Sequence, residues 1–275
     1  MEIRGIVTTT VLILALIAIS TTTAAALSCD CDDICVNTTG WWNDGGAFNA
    51  STTPIQAAVN AASGGDTICV AAGSYSENVD ITTAHLTLAG AGADVVTVTA
   101  ASSSDHVFYV TADYVNISGF TATGATGSSK KGIYLYSADH CNISDNTVSG
   151  NNYGIVLQSS SSNTIINNAV NSNRYRGINL RYSSSSNTIM NNIASSNTYG
   201  IGLEHSSSSN TIANNTASNN NRGIYPHSSS NNMFANNTVS NNTHGIFLVH
   251  DFRINQIFPH PKCPNLYMGS THILH

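Results

Sequence analysis

Charge is what this sequence has least of. Asp, Glu, Lys and Arg make up 9% of its 275 residues, and nine basic against fifteen acidic side chains leave a net charge of −6. No basic stripe is present to neutralise a phosphate backbone, so nucleic acid is not an expected partner. Methionine is scarcer still, at four residues, and no Met/His cluster of the kind that suits copper stands out. Long apolar runs are missing except at the N-terminus, so no other segment has the ~20 apolar residues of a membrane span. Strong helix formers are thin from residue 66 onward, where Ser, Asn, Thr and Ile dominate; these are mediocre in helices, which argues for an all-β chain.

Residues 1–26 read as a secretory signal. Arg4 supplies the basic start, Val11 to Ile19 the apolar core, and Ala24-Ala25-Ala26 the small residues of a cleavage site. An uncleaved anchor is the alternative, and it would be the chain's one expected contact with a membrane. Leu27 sits one place late for a lipoprotein box ending at Cys29. The expected location is secreted or cell surface. Sequons at Asn37, Asn49, Asn116, Asn142, Asn214, Asn236 and Asn241 would permit glycosylation there.

What the chain does have is a period. Gly132-Ile133-Tyr134-Leu135 recurs at Gly154, Gly177, Gly200, Gly223 and Gly245, in steps of 22, 23, 23, 23 and 22 residues. A fixed step of that size marks a solenoid, in which each repeat buries its apolar edge against its neighbours. Each repeat holds three short apolar pieces between turn residues, and apolar residues alternate within Gly-Ile-x-Leu as in a half-buried strand. A leucine-rich repeat of similar length would need more leucine. Three strands per turn, stacked in parallel at roughly 4.8 Å along a right-handed path, predict a right-handed single-stranded parallel β-helix. The expected inward columns are Ile133, Ile155, Ile178, Ile201, Ile224 and Ile246; Ile143, Ile165, Ile189, Ile212 and Phe234; and Val148, Val170, Ala194, Ala217 and Val239. Asn146, Asn168, Asn192, Asn215 and Asn237 form a structural ladder, each amide bonding its copies and local backbone groups.

The unit Gly-Ile-x-Leu…Ser-Asn-Thr-Ile-x-Asn-Asn resembles the β-helix repeat of the periplasmic copper-binding NosD family, and also the carbohydrate-binding and sugar-hydrolysis repeats of pectin-lyase-like proteins. The resemblance covers residues from about 52 to 249. It implies the fold; it does not choose among lyases, hydrolases, adhesins and assembly factors. The passage from Pro54 through Val79 is similar to the opening of many pectin-lyase-like β-helices, and Trp41 to Phe48 resembles secreted archaeal surface proteins of this kind.

The expected organisation is a signal at 1–26, a cysteine-containing segment at 27–51, a capping helix at 52–65, the β-helix at 66–249 and an irregular tail at 250–275. In the helix, Thr53 is the expected N-cap, Pro54 suits the first position, and Ile55, Ala58, Val59 and Ala62 share a face. Cys29, Cys31, Cys35 and Cys69 allow three full pairings. A disulfide between Cys35 and Cys69 is a candidate, because Asp33 to Val36 echoes Asp66 to Val70 and the two strands could lie side by side. A metal site is the rival there, though Cys-x-Cys lacks a second pair at zinc spacing. Cys141, in a column otherwise filled by Asn163, Asn187 and Asn210, reads as a buried free thiol. The tail carries His250, His260, Cys263, His272 and His275 at irregular spacing.

For chemistry, the regular turns offer only Asp139, Asp145 and Glu204 as carboxylates. Glycoside hydrolysis usually needs a carboxylate pair, and no such motif is visible, so no residue is assigned as catalytic and no cofactor or metal is expected. Binding has more to work with. The residue before each marker glycine reads Lys131, Tyr153, Arg176, Tyr199, Arg222, His244, a row of cations and aromatics that can stack on each other, on sugar rings, or on acidic groups. A second row, counted back from the Asn163 column, reads Tyr136, Gln158, Tyr182, His205, His227. Candidate carbohydrate-binding residues are therefore Tyr153, Arg176, Tyr199, Arg222 and Tyr182. The alternative is that these side chains only coat the turn edges. His205 and His227 are too few for a copper site, and the outward Thr164, Thr188, Thr211 column, a feature of ice-binding arrays, breaks at Asn142 and Met233. The expectation is an exported, non-catalytic protein that binds polysaccharide or envelope glycan, or serves in adhesion or the envelope. A polysaccharide lyase or hydrolase and a copper-handling accessory protein are the alternatives.

Overall fold

The structure is a computed structural model that describes residues 33–248, together with the backbone of two later strands, Ile254–Ile257 and Leu266–Met268. The signal segment, Cys29, Cys31 and the tail histidines lie outside the described residues. Among the described residues no helix is long and apolar enough to cross a membrane.

The chain coils into a parallel β-solenoid whose sheets contain 12, 8 and 9 strands. Each regular turn contributes one strand to each sheet. In the turn that starts at residue 153, Tyr153–Gln158 lies on what we call the long face, Thr164–Ile166 on the isoleucine face and Ala169–Asn171 on the valine face. Registers are unbroken through the regular turns. Ile133 pairs with Ile155, then Ile178, Ile201, Ile224 and Ile246 on the long face. Ile143, Ile165, Ile189, Ile212 and Phe234 follow one another on the isoleucine face, and Val148, Val170, Ala194, Ala217 and Val239 on the valine face. All three columns are buried in a single core that runs the length of the coil. The irregular earlier turns keep the same scheme, with Leu88 pairing with Ile117 and Ile117 with Ile143 across the longer steps.

Each corner is turned by the same device. A residue in the left-handed region, such as Ser162, Asn167 or Ser172 (φ 59°, 58° and 56°), precedes an asparagine whose amide points inward. The sequence makes one of these ladders plain; the structure has three. Asn163, Asn187, Asn210 and Asn232 occupy the first corner, Asn146, Asn168, Asn192, Asn215 and Asn237 the second, and Asn151, Asn173, Asn197, Asn220 and Asn242 the third. At Asn192 the Oδ1 accepts the Asn168 backbone N–H at 2.9 Å, while Nδ2 donates to the carbonyls of Ile165 (2.8 Å) and Met190 (3.0 Å). The amides thus satisfy backbone groups that a buried corner would orphan, each at a cost of about 1–3 kcal/mol. A serine ladder, Ser160, Ser184 and Ser207, repeats the logic beside the first corner. The marker glycine is also explained: a Cβ on Gly177 would lie 2.7 Å from the Gly200 carbonyl and 2.8 Å from the Asn197 amide.

The helix, Pro54–Ala61, packs on the strands Ile34–Asn37, Gly40–Asn43 and Val79–Ile81 at the N-terminal end of the coil. There it buries Pro54, Ile55, Ala58 and Val59. The expected Thr53 cap is not made, since its side chain bonds no helical N–H. The buried carboxylate of Glu77 replaces it, accepting the N–H groups of Ile55 (3.1 Å) and Gln56 (2.8 Å). A charged acceptor brought by the tertiary fold outcompetes a local hydroxyl at a helix N-terminus. Burial raises the Glu77 pKa, and the two backbone bonds oppose that rise.

Cys35 and Cys69 are register partners on adjacent parallel strands, and both are in disulfides. Cys141 is a free, buried thiol that starts the first-corner column, its N–H on the Asn163 amide oxygen at 2.7 Å; burial pushes its pKa up to about 11. The stretch after residue 249, which shows no alternation in sequence, nonetheless holds two strands. Ile254–Ile257 adds to the isoleucine face with a shifted register, and Leu266–Met268 adds to the long face. Pieces of three or four residues are too short for a period to show.

Candidate site on the outer surface of the long face

Strands of the long face run five to six residues in the regular turns, enough to present three outward columns. The first is the row before the marker glycines. Arg176 pairs with Tyr199, Tyr199 with Arg222 and Arg222 with His244, and Lys131 pairs with Tyr153. The row begins one turn earlier than the repeat shows, at His106, whose Nδ1 accepts the Lys131 backbone N–H at 3.1 Å. The middle column runs Asp80, Tyr109, Tyr134, Val156, Asn179, Gly202, Tyr225. The third holds Tyr136, Gln158 and Arg181, then Glu204 and His227.

This third column corrects the expected second row. Tyr182 and His205 are not on the strand; each lies one residue further on, in the left-handed region (φ 52° and 51°), stacked on the other with ring centroids 4.7 Å apart. Their turns carry one extra residue between strand and corner asparagine, so counting back from Asn187 and Asn210 lands one place late. Arg181 and Glu204 take the expected positions. Tyr182 is therefore at the rim of the face, and Tyr153, Arg176, Tyr199 and Arg222 are on it.

The side chains form two blocks. In the first, Tyr109 and Tyr134 stack at 5.3 Å, and Lys131 places its Nζ 4.1 Å from the Tyr134 ring centroid. Gln158 Oε1 accepts from the Tyr134 hydroxyl at 2.9 Å and from Arg181 Nε at 3.0 Å. Lys131 and His106 are both buried. Burial, helped by Arg181 and Lys130, lowers the Lys131 pKa to about 8. Burial, helped by Lys131 and Lys130 and opposed by Asp105, lowers that of His106 to about 4. In the second block, Arg222 lies within 5.0 Å of the Tyr199 ring, 4.8 Å of Tyr225 and 4.3 Å of Phe247, and donates to the Tyr199 hydroxyl at 3.0 Å. Arg176 stands 4.9 Å from Tyr199 and 5.9 Å from Tyr153, and is ion-paired to Glu204. Between the blocks the middle column shrinks to Val156, Asn179 and Gly202. Four cations (Lys131, Arg176, Arg181, Arg222) thus line one face between aromatic rings, with Glu204 the carboxylate among them.

The other carboxylates singled out by sequence are dispersed. Asp139, at the first corner, accepts the Ser161 N–H at 2.6 Å, and Asp145 sits exposed at the second corner with φ 56°. Neither shares a face with Glu204. Among the described residues no group of three or more His, Cys, Asp or Glu side chains could hold a metal ion. His205 and His227 approach edge to face at 6.1 Å, and two imidazoles with an arginine-paired Glu204 beside them do not make a copper donor set.

The described architecture matches several solved structures at low identity. The pectate lyase Pel9A superposes with a TM-score of 0.62 at 20% identity, over 82% of this chain and 70% of that one. ORF18 of Geobacillus virus E2 gives 0.60 at 14%, over 70% and 46%. A double mutant of the periplasmic alginate epimerase AlgG gives 0.52 at 20%, over 68% and 49%. This chain thus spans under half of the viral protein and about half of the epimerase, and at such identities the likeness shows the fold alone. A search of curated proteins finds no match. The sequence profile described as periplasmic copper-binding protein (NosD) matches residues 59–259, most of the chain, and the chain belongs to the NosD family.

Proposed function

We propose that this exported β-solenoid binds acidic polysaccharide along the outer surface of its long face. One observation carries the reading: cations and aromatic rings alternate up the coil, one turn apart, and interlock rather than extend separately into water. Arg222 held between Tyr199 and Phe247 is a preorganised guanidinium, so little side-chain entropy is lost when an anion arrives. Such a row suits a polymer that repeats ring and carboxylate along its length. Pel9A is a pectate lyase and AlgG an alginate epimerase, in keeping with a scaffold of this kind meeting acidic sugars. The role is binding, in adhesion or in the envelope, at the cell surface or in the secreted state. The family's copper description finds no counterpart in the donor sets of the described residues.

The test uses the secreted form, residues 27–275, against a panel of neutral and acidic polysaccharides, scoring retention and new chain ends. Retention by acidic polymers, weakened about tenfold or more in Tyr199→Ala plus Arg222→Ala, is the expected outcome. Equal retention by the double variant would make the ladder a coat on the turn edges.

Cleavage is the second reading, and Lys131 is the observation that favours it. A lysine whose pKa falls to about 8 is partly a free amine near neutral pH and suits a general base. New chain ends that vanish in Lys131→Met would move the protein to the enzyme class; retention without new ends keeps it a binding module.

A further inference from the structure

One polar side chain on the long face lacks every partner it was built to have. Asn179 is fully buried, yet neither its Oδ1 nor its Nδ2 has a hydrogen-bond partner. Elsewhere in these coils the buried asparagine amides described above are bonded at both ends, so this one stands out against its own background. It faces outward, in the middle column, one turn below Gly202. The glycine is what makes room: a Cβ there would come within 2.7 Å of Asn179 Oδ1 and 3.8 Å of the Arg176 Cδ. The asparagine thus fills one side of a notch that any other residue at 202 would close.

Arg176 forms the roof. It starts in the first column, passes over Gly202 and pairs with Glu204 in the third. The pair is incomplete. Arg176 donates through Nη2 to Glu204, while its Nε, also buried, has no partner. A carboxylate bound end-on to an arginine side would take Nε and Nη2 together. Glu204 is tied to its own strand and takes only one. Two unmet donors (Arg176 Nε and Asn179 Nδ2) and one unmet acceptor (Asn179 Oδ1) therefore converge under one ion pair.

We propose that the Asn179–Gly202 notch is a closed subsite for a single carboxylate bearing a neighbouring hydroxyl, as on a uronic acid, and that Glu204 occupies it in the free protein. An entering carboxylate takes both Arg176 donors and the Asn179 amide N–H. Its neighbouring hydroxyl donates to Asn179 Oδ1, and the Glu204 side chain swings out to solvent. Glu204 is thereby a built-in competitor. It keeps the half-buried guanidinium neutralised until a ligand with better geometry arrives, and it discriminates against neutral sugars, which cannot replace its charge. The inference rests on the glycan-binding reading and names the group recognised at its centre.

Three variants test it, each checked for an unchanged β spectrum by circular dichroism. Glu204→Gln removes the competing charge and should tighten binding of polygalacturonate about tenfold, with binding of a neutral dextran unchanged. Asn179→Val places at 179 the residue that position 156 already carries in the register partner below. It should raise the melting temperature by removing two unpaired buried amide atoms, and weaken polygalacturonate binding about tenfold. Gly202→Ala should weaken binding similarly by filling the notch. Monomeric galacturonate, measured beside the polymer by calorimetry, distinguishes a free sugar acid from a polysaccharide as the source of the carboxylate. Wild-type binding of polygalacturonate with Glu204→Gln and Asn179→Val both within twofold of it would overturn the subsite and leave the groove reading standing. A wild type that retains no polysaccharide overturns the groove reading, and overturns the subsite too unless Glu204→Gln newly binds galacturonate.

Discussion

At the residue scale, the sequence shows which side chains repeat but not which of them are under stress. His106 precedes the regular repeats and stands at no marker glycine, yet it opens the first outward row and is buried against Lys131. Its pKa in the folded protein, about 4, lies below the value near 6.5 expected of an unfolded chain. The unfolded state therefore takes up the proton first. The contribution to stability is fully present above pH 6.5 and is lost as pH falls toward 4, by up to about 3 kcal/mol. Urea midpoints measured across pH 4 to 7 should show this slope, and His106→Asn, which keeps an acceptor for the Lys131 N–H, should flatten it. The same contrast separates the asparagines. Asn192 and Asn179 are one residue type on the same turn; the first stands at a corner and is bonded at both ends, and the second stands outward on a strand and is bonded at neither.

Single elements were legible where their own residues set their geometry. The strand columns follow from alternation and period, and the helix from Pro54 and the apolar face. Its cap was not legible, because the acceptor arrives from 22 residues downstream. Glu77→Ala would leave the Ile55 and Gln56 N–H groups unpaired at the covered end of the coil and should cost about 1–3 kcal/mol. Glu77→Gln, which keeps an oxygen acceptor, should cost less. Thermal melts of the two variants check both outcomes, and a Thr53→Ala control should stay close to wild type because that hydroxyl caps nothing. The second outward row departs from the sequence spacing for a similar reason. An extra residue in the turns carrying Tyr182 and His205 shifts them off the strand, and a one-residue shift changes which side of the sheet edge a side chain occupies.

For the whole molecule, the solenoid makes stability a sum over turns and their interfaces. Deleting residues 177–199 joins Arg176 to Gly200, removes one complete 23-residue repeat and leaves every column in phase. The shortened protein should fold, with a β spectrum like the parent's and a lower melting temperature. Deleting only residues 177–188 would put isoleucines out of register with the core and should abolish the cooperative melt. A cooperative melt in the second variant would contradict the registers described here. The same one-dimensional order gives the long face its ladder: a row one turn apart exists only because every turn repeats the one below.

The period, the alternation and the corner asparagines determined by themselves that this chain is a parallel β-solenoid with three inward columns, because those features depend only on residues near each other in sequence. The tertiary structure decided what the outer surface is. Which arginine meets which ring, which carboxylate caps the helix and why one buried amide is left without a partner all depend on side chains 20 to 30 residues apart. Their meeting is set by stacking between turns, where a single inserted residue moves a tyrosine from the face to its rim.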